Sequence, residues 1–205
     1  MFEALTGIGL SASAGLNAWI PLLAIGLLNR YTHLIEVPAG WSWLSNGWVL
    51  SILAALLVIE MVADKVPIVD SANDVVQTVI RPTSGGIAFG ASDSAQTVTV
   101  KDPTTFFHGH AWVGITTGVL IALFMHTLKA SARPVINVAT VGTGAPVIST
   151  IEDVASASMS FVAIVLPFLV IIFLALIIFG LWRLRRRMKA RKARRAAAKL
   201  TVRQE

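Results

Sequence analysis

The chain has 205 residues, of which 55% are hydrophobic and 14% are charged, and its mean hydropathy is +0.74. Soluble domains carry about 25% charged residues, so this composition excludes an ordinary water-soluble enzyme. The net charge of +6 comes from one end: residues 1–182 hold 6 basic and 10 acidic side chains, and residues 183–205 hold 11 and 1. We therefore expect a polytopic membrane domain over 1–182 and a basic cytoplasmic tail over 183–205.

Four stretches with few or no charges predict transmembrane helices, at residues 4–29, 48–63, 111–128 and 161–182. The last has no charge over its whole length and at ~1.5 Å per residue covers the ~30 Å hydrocarbon core of a bilayer. Ser149 and Glu152 before it have capping-box spacing, which predicts that its helix begins near Thr150. The fold class expected is an all-α membrane protein with about four transmembrane helices.

The orientation follows from the arginines after Trp182, because basic residues favour the cytoplasmic side of a membrane. A cytoplasmic C-terminus and four spans place the N-terminus in the cytoplasm as well. The loops 30–46 and 129–149 are then expected outside, and the segment 64–110 inside.

One segment after the second span is too short to cross the bilayer. Ser71 and Asp74 have capping-box spacing and predict a short amphipathic helix over 70–81. Pro82 disfavours helix in the residue before it, and the Ser-Gly-Gly sequence at 84–86 predicts a turn. About ten residues cover only ~15 Å, which favours an interfacial or a re-entrant helix.

Residues 67–72 and 134–139 share a pattern of Pro, two β-branched residues, Asp or Asn, any residue, and Ala. Each copy follows a predicted span, and the two spans run in opposite directions. One interpretation is an inverted repeat, which transporters use to build two gates around a midplane site. Chance resemblance is the other interpretation.

The strongest chemical signal is a group of charged side chains at the end of the second span. Carboxylates there are costly unless they face a cavity or a partner, so a proton or cation site is one hypothesis. Solvated side chains at the headgroup level and binding of a charged substrate are the alternatives. The residues of this group are Glu60, Asp64, Lys65, Asp70, Asp74 and Arg81.

A second charged group is predicted on the third span. His126, Lys129 and Arg133 follow one another on a single helical face, and the orientation above places them near the outer boundary. They are expected either to anchor the helix at the interface or to receive an anionic headgroup.

The first span carries small and polar residues. Gly7, Ser11 and Gly15 recur at four-residue spacing, which permits close contact between helices in lipid. Asn17 is the only side-chain amide before Asn29 in this stretch, and we expect it either to hydrogen-bond across helices or to take part in a site.

Four segments resemble a bacterial family of small integral membrane proteins known as domain of unknown function 4126. They read GLSASAGLNAWIPLL at 9–23, EMVADKVPIVD at 60–70, HTLKASARP at 126–134 and PVISTIED at 146–153, and Asp74, Arg81-Pro82 and Gly85-Gly86 continue the similarity. The polar stretch 92–109 departs from the family's pattern. The resemblance implies a bacterial cytoplasmic (inner) membrane protein and supplies no activity.

The leading hypothesis is a small membrane transporter or channel-like protein for a small solute or lipid, with proton or cation coupling at the first charged group. The alternative is a non-transporting scaffold or assembly factor. No enzyme activity, cofactor, metal or nucleic-acid partner is expected, because the acids lack a nucleophile–base pair or a metal motif. The expected partners are the bilayer, anionic headgroups at the tail, and a second copy of the chain, since four spans offer few walls for an enclosed path.

Overall fold

The structure is a computed structural model that describes residues 2–32, 34–92, 111–140 and 143–172, together with residues 175, 176, 179 and 183. The polar segment 93–110 and the tail beyond Arg183 lie outside the described residues. The chain divides into two compact units, Met1–Val170 and Ile171–Glu205. The fold below is that of the first unit, and the few described residues of the second are helical.

The described part of the chain is all-helical, as the composition predicts, and contains no strand. The described residues of the first unit include six α-helices of 13 residues or more and one 3-10 helix. They are α1 (Phe2–Leu16), α2 (Trp19–Tyr31), the 3-10 helix (Ala39–Ser45), α3 (Gly47–Ala63), α4 (Pro67–Ser92), α5 (Ala111–Thr140) and α6 (Ala145–Val165).

Helix α1 packs against α4, α5 and α6. Its small residues make this close approach feasible: a methyl group at Gly7 would lie 2.9 Å from the Phe89 ring, and one at Gly15 would lie 2.5 Å from Cβ of Met125. Between them, the hydroxyl of Ser11 donates to the carbonyl of Gly85 at 2.9 Å. The small-residue face predicted for helix contact therefore packs within the chain.

The first predicted span, 4–29, is two helices and not one. α1 and α2 have 15 and 13 residues, or about 22 Å and 20 Å, so each is shorter than the hydrocarbon core. Between them, Oδ1 of Asn17 accepts hydrogen bonds from the main-chain N–H groups of Trp19 and Ile20 at 3.1 and 3.3 Å. The amide thus satisfies the first free donors of α2, which is how Asn favours a helix start over helix continuation.

The prediction of a short helix over 70–81 followed by a turn is wrong. α4 continues through Pro82 to Ser92 as one 26-residue helix. Gly85 and Gly86 lie inside it, where a methyl group at Gly85 would be 2.4 Å from Cβ of Ala122 and 2.7 Å from the carbonyl oxygen of Gly118. The glycines provide close contact with α5, and this tertiary packing outweighs the local preference for a turn.

The predicted start of the last helix near Thr150 is wrong, and the span predicted over 161–182 lies partly outside the described residues. α6 begins at Ala145 with Pro146 in its first turn and ends at Val165, and residues 166–168 interrupt the apolar stretch. Ser149 lies inside the helix and is buried, so it is not a cap. The inverted repeat gains no support, because Pro67 begins α4 while Pro134 lies in the interior of α5.

Two helices in the described part are long and apolar enough to cross a membrane, Trp112–Pro134 and Ala145–Val165. A third candidate is the 3-10 helix with α3, which form a pair bent by 61°. Length and composition therefore indicate a membrane protein with two or three candidate spans among the described helices, where the sequence predicts four.

Candidate functional site

The site begins with a fully buried arginine. Arg81 on α4 has no exposed surface, and its Nη2 donates to Oε1 of Glu60 at 2.7 Å. Glu60 is itself only 2% exposed, although its α3 neighbours Val58 and Ile59 are exposed. A buried charge is tolerated only with a partner, so this pair fixes the inward face of α3 against α4.

Asp64 follows one helical turn later and binds three cationic side chains through one oxygen. Its Oδ2 lies 2.9 Å from Nζ of Lys129, 3.2 Å from Nη2 of Arg133 and 3.7 Å from Nη2 of Arg81. Its Oδ1 accepts from the amide of Asn73 at 2.9 Å. Asp64 lies just beyond the end of α3, and these contacts hold the corner between α3 and α4 against α5.

The pKa of Asp64 follows from these contacts. Burial alone would raise it, because the charged form loses water. The positive charge and hydrogen bond of Lys129, together with the charges of Arg81 and Arg133, outweigh burial and hold the pKa below its ordinary value of 3.8. Asp64 is therefore ionised at neutral pH.

The same two cations on α5 also reach α6. Nζ of Lys129 lies 3.2 Å from Oε2 of Glu152, and Nη2 of Arg133 donates to the same oxygen. Glu152 was predicted to be part of a cap, and its place in this site was missed. The available signal was that Lys129 and Arg133 are four residues apart on one helical face and need acidic partners.

The expected separation of the two charged groups is wrong. The orientation drawn from the tail placed Lys129 and Arg133 near the outer boundary and Asp64 on the inner side, whereas the structure brings all three into contact. Both α4 and α5 are longer than predicted, and α5 extends to Thr140. A basic tail favours one orientation for a helix end, but it does not fix the depth of a side chain within the bundle.

His126 on α5 contacts α4 at two side chains, Arg81 and Thr78. Its Nδ1 lies 3.1 Å from Nη1 of Arg81, and its Nε2 lies 3.1 Å from the hydroxyl of Thr78. An arginine donates hydrogen bonds and accepts none, so Nδ1 must accept and the ring proton is on Nε2. His126 is therefore neutral in this arrangement. Asp74 lies nearby, with its Oδ1 at 3.8 Å from Nη1 of Arg81.

The break between α1 and α2 belongs to the same site. Nζ of Lys129 donates to the carbonyl oxygen of Leu16 at 3.0 Å, and Nδ2 of Asn17 donates to Oδ1 of Asp153 at 3.0 Å. The interhelical hydrogen bond expected of Asn17 is thereby confirmed. One turn earlier, the hydroxyl of Ser13 lies 2.7 Å from those of Ser156 and Ser160, which extends the polar contact along α1 and α6.

We call this group of buried and half-buried side chains the charged cluster. It contains five carboxyl groups, of which three are buried and those of Asp74 and Glu152 are half-buried, and three buried basic side chains. Its members are Glu60, Asp64, Asp74, Arg81, His126, Lys129, Arg133, Glu152 and Asp153.

Three carboxylate oxygens of the cluster are buried without a hydrogen bond from any described residue: Oε2 of Glu60, Oδ1 of Asp74 and Oδ2 of Asp153. Such acceptors are costly unless a proton, a water molecule or a cation meets them. No group of three His, Cys, Asp or Glu side chains suited to a metal ion occurs in the part searched, which is the described residues.

Most of the predicted site residues come together, namely Glu60, Asp64, Asp74, Arg81, His126 and Asn17. Lys65 does not join them closely: its Nζ donates to the carbonyl of Met61 at 2.8 Å, at the turn between α3 and α4. Asp70 lies in α4, and its side chain is outside the part described.

The sequence profile described as "Domain of unknown function (DUF4126)" matches residues 4–187, which include every residue of the charged cluster. The chain belongs to this family. No curated protein and no solved structure matches the chain. The family has no assigned function, so function has to be argued from the site.

Proposed function

We propose that this member of the family is a small membrane transporter or channel-like protein, and that the charged cluster is its coupling site for protons or cations. The observation that carries the proposal is that five carboxyl groups, three of them buried and two half-buried, lie together with only three basic side chains. A buried net charge is unfavourable in a bundle surrounded by lipid. The cluster therefore favours uptake of protons or cations.

The broken first helix supports the same function. Transporters often bind ions where a membrane helix is interrupted, because main-chain carbonyls at the end of one half-helix become available as ligands. Here α1 ends at Leu16 beside the cluster, and the freed carbonyl of Leu16 faces Lys129. Binding or release of a proton or cation at the cluster would then change the contacts at the junction of α1 and α2.

Buried ion pairs also give a physical route from ion binding to movement. Lys129 and Arg133 each contact both Asp64 and Glu152, and so hold the corner after α3 against α6. Protonation of either acid, or arrival of another cation, weakens these contacts selectively. Ion binding can drive a movement of the helices only if the ion binds one arrangement of the helices more tightly than the other.

The test is ion movement by the purified full chain in lipid vesicles. Vesicles loaded with potassium and a pH-sensitive dye receive valinomycin, so that potassium efflux makes the interior negative and draws protons inward. Small solutes, sodium salts and lipids are added outside in turn. The proposal expects faster acidification than in protein-free vesicles, changed by at least one additive. Equal rates with and without protein under every condition would contradict it.

The setting proposed for this activity is a multi-pass protein of the bacterial inner membrane with both termini in the cytoplasm. The 11 basic residues of 183–205 support a cytoplasmic C-terminus and contact with anionic headgroups, each contributing ~1 kcal/mol near the surface. The small number of candidate spans supports a homodimer, in which two copies enclose the path. The scaffold alternative loses its main support, because Gly7, Ser11 and Gly15 pack within the chain.

A further inference from the structure

The side-chain ammonium of Lys129 is surrounded by oxygen atoms from three separate parts of the chain. Its Nζ lies 2.9 Å from Oδ2 of Asp64, 3.0 Å from the carbonyl oxygen of Leu16 and 3.2 Å from Oε2 of Glu152. The side chain is 1% exposed. Each of the three N–H donors of an ammonium group thus has an oxygen within hydrogen-bonding distance.

The three oxygens do not depend on Lys129 for their positions. Asp64 is held by Arg133 and by the amide of Asn73, and Glu152 is held by Arg133. The Leu16 carbonyl is available because α1 ends there, and the C-terminal end of a helix carries a partial negative charge that favours cations. Removal of the lysine side chain would therefore leave two carboxylates and a carbonyl facing one small space.

We propose that this is a binding site for a small ammonium cation, which Lys129 fills from within the chain in the arrangement described. The site would bind a free ammonium ion or a small primary amine when the lysine side chain leaves it. This inference rests on the proposed function. During transport, the Lys129 side chain would leave the site when such a cation enters and would return when the cation leaves. Binding itself can be measured without any transport.

The test is chemical rescue of Lys129→Ala. The full chain is purified in detergent, and its thermal unfolding is followed by tryptophan fluorescence in methylammonium chloride or in tetramethylammonium chloride at equal ionic strength. Methylammonium has N–H donors and fits beside an alanine, whereas tetramethylammonium has the same charge and no donor. A ligand that binds only the folded state raises Tm, here by about 3 °C near saturation for a chain of this size.

Two matched variants make the result specific. Lys129→Met fills the space with an apolar side chain, and Lys65→Ala removes an ammonium that donates to the Met61 carbonyl outside the site. The proposal expects a saturable rise in Tm with methylammonium for Lys129→Ala alone. No rise, or the same rise in wild type and Lys65→Ala, would overturn it.

Should Lys129→Ala unfold on extraction, the recovery of folded protein is compared between membranes solubilised in the two salts. Recovery in methylammonium but not in tetramethylammonium supports the site, and equal loss in both overturns it.

Lack of ion movement in vesicles together with rescue by methylammonium would refute transport while retaining the binding site. Ion movement without rescue would refute the ammonium site alone.

Discussion

Nζ of Lys129 lies 2.9 Å from Oδ2 of Asp64, although the two residues are 65 positions apart in the chain. This contact joins the corner between α3 and α4 to the middle of α5. It joins two charged groups into the charged cluster, although alone the first could be solvated at the headgroup level and the second could anchor a helix at the interface. The functional proposal depends on this arrangement, since carboxylates open to bulk water would need neither protons nor cations to be stable.

The ion pair between Arg81 and Glu60 gives the first prediction. Arg81→Met should destabilise the fold by about 3–5 kcal/mol, because Glu60 is left buried without its partner. Adding Glu60→Met should recover part of the loss. Thermal and denaturant unfolding in detergent measure both effects, and strictly additive losses in the double variant would show that the two side chains are not coupled.

Close packing between α4 and α5 gives the second prediction. Gly85→Ala should cost about 1–3 kcal/mol, because the added methyl group would overlap Ala122 and the carbonyl of Gly118. Gly40→Ala is the matched control, since no described residue beyond its two neighbours in the chain lies within 4 Å of the added methyl group. Unfolding of the two variants under the same conditions should differ clearly. Similar stabilities would contradict the packing described.

The hydroxyl contacts between α1 and α6 give the third prediction. Ser13→Ala removes a group in contact with both Ser156 and Ser160, and should cost about 1–3 kcal/mol because buried polar atoms lose a partner. Ser51→Ala is the control, since the hydroxyl of Ser51 is exposed and bonds only within its own helix in the part described. Equal stability of the two variants would indicate that the hydroxyl contacts contribute nothing.

The ionisation of Asp64 gives a fourth prediction, in the pH dependence of stability. Its folded pKa is below 3.8, so its contribution is complete above the unfolded value and is lost as pH falls through the folded pKa. The difference in unfolding free energy between wild type and Asp64→Asn should therefore be constant from neutral pH to about pH 5 and shrink below 3.8. A difference in unfolding free energy that grows on acidification would contradict a lowered pKa of Asp64.

Much of the fold was predictable because its signals are local. The apolar composition identified helices and a membrane protein, and the charges around Glu60 and Asp64 marked the site. Asn17 stood out as an amide in an apolar stretch. Each of these signals reflects the cost of placing polar groups in an apolar setting, which a single segment of sequence displays.

The remaining features depend on contacts between distant segments. Helix α4 continues through Pro82 because Gly85 fits against α5, and nothing in residues 70–90 reveals that neighbour. The carbonyl that the break after Leu16 leaves free accepts a hydrogen bond from Lys129, which lies 113 positions further along the chain. Glu152 likewise looks like a cap until Arg133 is placed beside it. Local propensity was overruled by tertiary packing in all three cases.

A coupling role for the charged cluster is tested by measuring proton entry into vesicles that contain variants of the cluster. Glu60→Gln and Asp64→Asn remove acids at its centre, and Glu36→Gln removes an exposed acid in the connection before the 3-10 helix. We predict that each cluster variant slows entry by about tenfold or more, the factor that 1.36 kcal/mol of lost interaction produces. Glu36→Gln should match wild type. Unchanged entry in both cluster variants, at equal amounts of folded protein, would contradict a coupling role for the charged cluster.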